Sequence, residues 1–98
     1  MARSKGVSKL KVGAWVLVSW EDAYVHDEGW TDTDDITAEV HGIKPCLSAG
    51  KVLKKDHKQV FLAATIGTGK DDKDVGSLFA IPLGWITGVD VVREVEND

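Results

Sequence analysis

Val12 to Trp20 reads Val-Gly-Ala-Trp-Val-Leu-Val-Ser-Trp, a run of β-branched and aromatic residues that is short for a helix and well suited to a strand. Alternation places Val12, Ala14, Val16, Val18 and Trp20 on one face and Trp15 and Leu17 on the other. Both faces are apolar at their centre. One face belongs to the core of a small β domain. The other must be covered by a loop or by a second copy of the chain, so a homo-oligomer is expected.

Four further strands follow from the same pattern. Cys46 to Lys54 alternates loosely and contains Gly50, which marks a bulge or a close backbone approach; Pro45 is expected to stop regular pairing just before it. The four residues Lys55 to Lys58 have the length of a hairpin loop and lead into Gln59 to Ile66. The charged segment Gly67 to Gly76 reads as a mobile loop, Leu78 to Ile81 as a short strand and Pro82 to Trp85 as a tight corner. Ile86 to Val95 is the last strand, and the tail Glu96-Asn97-Asp98 is expected to fray. Between the first two strands, Glu21 to Val40 forms a long excursion in which Thr33 to Ile36 supports one helical turn. The expected fold is all-β, a small five-stranded SH3-like barrel with a long loop after the first strand. A five-stranded oligonucleotide-binding-type barrel is the rival, but Gly67 to Gly76 is a poor candidate for the helix that fold places there.

The 98 residues suffice for one domain, with 1–11 a basic, flexible lead-in and 12–95 the barrel. A net charge of −4 argues against a nucleic-acid polymer as partner, because neutralising phosphates needs a basic surface. The charge is unevenly spread. Glu21 to Glu39 holds eight carboxylates and no Lys or Arg, whereas 44–58 holds five lysines and one aspartate. A nucleotide-sized anion therefore still has a basic patch to meet. One cysteine, Cys46, excludes an intrachain disulfide and points to a reducing, cytoplasmic setting. No apolar run approaches the roughly 18 residues of a membrane span, and the basic lead-in lacks the apolar stretch of a signal peptide.

Motifs for chemistry are weak. Gly67-Thr-Gly-Lys70 has Ala64 and Asp71 where a phosphate loop needs Gly and Ser or Thr, so it reads as a hairpin loop. Asp32, Asp34 and Asp35 lack the Gly and Glu spacing of a calcium loop, and His26, His41 and His57 lack zinc-ligand spacing; no metal and no cofactor are expected. Cys46 with His41 or His57 could pair as nucleophile and base, but nothing in the spacing brings them together, and no enzymatic activity is expected.

The four tryptophans carry more information. Trp20 ends the first strand on the core face. Trp30 follows Gly29 in a polar loop, either as a lid or as a stacking surface, and Trp85 sits at the corner beside the long loop. These place a ligand at Trp30 or Trp85, with Lys51, Lys54 and Lys55 as cations for a phosphate and backbone donors near Ser48 and Gly50. The alternative is a protein partner docked on the acidic loop through Asp32, Asp34 and Asp35, with Trp15 as an interface residue.

Trp20-Glu-Asp22-Ala23, Gly29-Trp30, Cys46-Leu-Ser48-Ala-Gly50, Val60-Phe-Leu62-Ala63 and Ile81-Pro82 together resemble a family of small uncharacterised tailed-phage proteins with these motifs in the same order. The resemblance spans roughly residues 15–92, with Lys51 where the family often has an aromatic and a longer basic N-terminus. It implies a non-enzymatic phage accessory protein acting in the cytoplasm of an infected bacterium. Such a protein would antagonise host defence, as an oligomer that sequesters a nucleotide immune signal or as an inhibitor capping a host protein.

Overall fold

The computed structural model describes residues 6–23 and 29–95. The start of the basic lead-in, His26 and the tail after Val95 lie outside the described residues. The chain forms β1 (Trp15–Asp22), β2 (Lys44–Lys55), β3 (Gln59–Ile66), β4 (Val75–Pro82) and β5 (Ile86–Arg93). Among the described residues helix is confined to α1 (Ala38–His41) and to single 3-10 turns at Val7–Lys9, Thr33–Asp35 and Leu83–Trp85. The strands form one antiparallel sheet in the order β4-β3-β2-β1-β5. The protein is all-β. Among the described residues the ladder does not close, and β4 and β5 are its edges.

Alternation in β1 works as the sequence implies. Ala14, Val16 and Val18 are buried with Val52, Val60, Leu62, Ile81, Ile86 and Val89 in one cluster. Val12 does not join them, and it is 59% exposed. Gly13 takes a φ of 97°, a left-handed turn that ends the extended run before β1 begins at Trp15. Trp15 and Leu17 on the opposite face are half-buried.

Two further expectations change. The basic segment is not a lead-in throughout: Leu10 is 1% exposed inside the core, and Val7 packs against it. An apolar side chain among the lysines thus brings residues 6–11 into the domain. Pro45 does not precede β2 but lies within it, opposite Glu21. Residues 44–50 of β2 pair with β1 alone, so a missing N–H is tolerated along that half-open edge. Gly50 marks the close backbone approach that its place in the strand implied: it is buried, and a Cβ there would lie 2.9 Å from the Ala63 carbonyl oxygen. Its role is the close approach of two backbones.

The β2–β3 hairpin is braced by Asp56, whose Oδ1 accepts from the Lys58 N–H (2.7 Å) and the Gln59 N–H (3.0 Å). The Lys58 carbonyl in turn accepts from the Leu83 N–H at 2.8 Å. The hairpin therefore holds the corner that precedes β5.

Candidate functional site

Pro82 ends β4 with φ −60° and starts the 3-10 turn, which lifts Trp85 out of the sheet. The β1–β5 register shifts between Ser19 and Trp20, setting Trp20 opposite Ile86. The two indoles stack, with centroids 6.3 Å apart and planes 16° from parallel, within the range of favourable offset pairs. Trp20 Nε1 donates to Ser48 Oγ at 3.0 Å. Ser48 pairs with Val18 and is Trp20's diagonal neighbour on β2. Trp20 is half-buried against the core rather than wholly part of it, joining β1, β2 and the corner.

Two hollows flank this pair. One, of about 300 Å³, is lined by Glu21, Ala23, Ile43, Trp85 and Thr87. The other, of about 530 Å³, is lined by Trp20, Glu21, Pro45, Cys46, Leu47 and Thr87. They share Glu21 and Thr87, with Trp85 lining the first and Trp20 the second, so they adjoin as one surface groove. Among the described residues, Glu21 is the one acidic or basic side chain lining either hollow. Cys46 lines it half-buried and directs its S–H to the Lys44 carbonyl, 3.5 Å away.

The long loop continues from the Ile43 side of the groove. Residues 29–40 are all exposed, including Trp30 (102%), Ile36 (56%) and Val40 (60%). Trp30 is therefore not a lid. Local caps shape this arm. Asp32 Oδ1 accepts from the Asp34 N–H at 2.9 Å and opens the 3-10 turn at Thr33–Asp35. Thr37 Oγ1 accepts from the Val40 N–H, and the Thr37 N–H donates back to His41 Nδ1, both at 3.2 Å. That reciprocal pair closes α1, a single turn. Among the described residues no group of three His, Cys, Asp or Glu side chains is placed to hold a metal ion.

The expected site residues separate into three places. Trp85 and Ser48 both contact Trp20, and Trp85 lines the groove, while Trp30, Asp32, Asp34 and Asp35 lie on the exposed arm. Lys51 is at the far end of β1, opposite Trp15. Lys54 borders Leu53, Phe61 and Leu78 on the β2–β3–β4 face, and Lys55 Nζ donates to the Val7 carbonyl at 3.3 Å. Glu21, Ile43, Leu47 and Thr87 join the groove without having been singled out. Their signal was adjacency: Glu21 follows Trp20, and Thr87 follows the corner by two residues.

Neither a protein-family model nor a curated protein nor a solved structure matches the chain.

Proposed function

We propose that the chain is a non-enzymatic protein-docking module that takes a basic, partly apolar segment of another protein into the Trp20–Trp85 groove. The finer fold reading belongs to the same proposal: an open SH3-like barrel, in which the loop after the first strand and the corner before the last border the binding surface. The observation that carries the reading is the composition of that surface. A stacked indole pair, Ile43 and Leu47 supply apolar area, while Glu21 in the groove and Asp32, Asp34, Asp35 and Glu39 on the arm supply negative charge. Exposed apolar side chains gathered beside one sign of charge suit a partner that is apolar at its centre and cationic at its rim.

The nucleotide reading does not suit this groove, because no Lys or Arg is among its lining residues and Glu21 would repel a phosphate. The resemblance to phage proteins makes the partner a host protein of the infected bacterium, inhibited by being capped.

Selection from a random peptide display library tests the reading. Enriched peptides are expected to combine Arg or Lys with aliphatic or aromatic residues, and calorimetry should show binding weakened roughly tenfold by Trp85→Ala and by Glu21→Gln. Rising salt should weaken it further. Enrichment of acidic peptides, or full affinity in both variants, would overturn the proposal.

A further inference from the structure

The opposite end of β1 has the opposite chemistry. Trp15 pairs with Lys51 on β2 and, next to a bulge in the β1–β5 ladder, with Arg93 on β5, so strand register sets Trp15 between two cations. Direct cross-strand partners project from one face with Cβ atoms about 5 Å apart. All three line a hollow of about 360 Å³, which Thr68 and Ile66 close from the end of β3 and the loop after it. That volume lies within the roughly 300–1,000 Å³ typical of small-ligand sites. Glu94 lines the same hollow and also a neighbouring one, where Lys9 and Lys11 stand with it. Among the described residues, the four cations lining these two hollows outnumber the one carboxylate that lines them.

We infer that this end of the sheet is a site for a nucleobase carrying a phosphate, with the base against Trp15 and the phosphate between Lys51 and Arg93. An indole supplies a flat, sequence-tolerant surface for any base, and stacking of this kind is how proteins hold unpaired bases. Two cations on either side of it provide charge-assisted donors, Arg93 with a planar fork and Lys51 as a point charge. Thr68 also lines the hollow and carries a neutral hydroxyl donor. The acidic arm does not oppose this ligand. It leaves from the Asp22 end of β1, seven residues along the strand, about 23 Å at the usual rise. That separation exceeds two Debye lengths at physiological salt. The site is independent of the groove proposed above, so either can fail alone.

The same chemistry is present in a free nucleotide and in a single strand, and the experiment distinguishes them. The full chain is titrated by calorimetry at low salt with adenosine monophosphate, adenosine, inorganic phosphate and a six-nucleotide oligoadenylate. Adenosine monophosphate should bind and quench indole fluorescence, with adenosine and inorganic phosphate each at least about tenfold weaker. Lys51→Ala and Arg93→Ala should each weaken it roughly tenfold, and Lys58→Ala should not. Trp15→Phe, which keeps an aromatic ring in place, should abolish most of the quench. An oligoadenylate bound more than tenfold tighter than the mononucleotide assigns the site to a strand end, and comparable affinity assigns it to a free nucleotide. No binding of adenosine monophosphate to the folded wild type, or equal affinity for adenosine, would overturn the inference, as would full affinity in both cation variants.

Discussion

The Trp20 indole stacks on Trp85 while its Nε1 donates to Ser48 Oγ at 3.0 Å, so one side chain ties the first strand to both the second strand and the last corner. The stack contributes roughly 0.5–1.5 kcal/mol beyond the burial of the rings. The hydrogen bond fixes which way the indole faces. Together they hold Trp20 and Trp85, each of which lines one hollow, in fixed positions, and fixing such residues lowers the entropic cost of docking a partner on them.

Ser48→Ala removes the acceptor and leaves a half-buried indole N–H without its partner. Urea unfolding is expected to show a loss of about 1–2 kcal/mol, with a shift in tryptophan emission. An unchanged midpoint and unchanged emission would mean that the bond does not hold the ring.

Leu10→Ala tests whether the basic segment belongs to the fold. Truncating this buried side chain should cost about 2–5 kcal/mol. Lys9→Ala and Lys11→Ala, at exposed positions, should each change stability by less than about 0.5 kcal/mol. Equal, small effects from all three would place Leu10 outside the core.

Gly50→Ala should destabilise the β2–β3 contact by about 1–3 kcal/mol, since its methyl would press on the Ala63 carbonyl oxygen, 2.9 Å away. The check is a chemical denaturation midpoint, with Ala49→Ser at the exposed neighbouring position as the control expected to stay near wild type.

Acid should weaken the hairpin through Asp56. The N–H groups of Lys58 and then Gln59 favour its carboxylate and hold its pKa below the ordinary value of 3.8. A pKa lowered by folding contributes stability that is present above the unfolded value and is lost as pH falls through the folded one. Thermal melts across the acid range should therefore fall more steeply with decreasing pH for the wild type than for Asp56→Asn. Identical slopes below pH of about 4 would remove Asp56 from the account.

The strands were legible because each is a short β-branched run bounded by Gly, Pro or charged residues. Gln59 to Ile66 begins and ends where the pattern put it. β1 started three residues late because a left-handed Gly13 interrupts what reads as continuous alternation. Leu10 was missed for a related reason: one leucine between lysines has no periodicity, and only its docking beneath β5 makes it core. The long loop was visible as a loop and as acidic, but whether Trp30 would fold back as a lid or stand exposed was decided only by the structure. The groove itself was visible only in part, as Trp85.

What the sequence by itself determined is the all-β character, the number of the strands and their order along the chain, the core residues Ala14, Val16 and Val18 at and just before β1, and the segregation of acid from base along the chain. These rest on the alternation of side chains along a strand and on local turn chemistry, both contained within a few neighbouring residues. Only the tertiary structure decided that Trp20 would meet Trp85 and Ser48, and that Lys51 would stand beside Trp15 and Arg93 rather than beside Trp30 or Trp85. Those meetings depend on cross-strand register and on a bulge at Trp20, which couple residues 28 to 78 positions apart. No local pattern encodes a register of that range. It is set by which pairing buries the whole core at once.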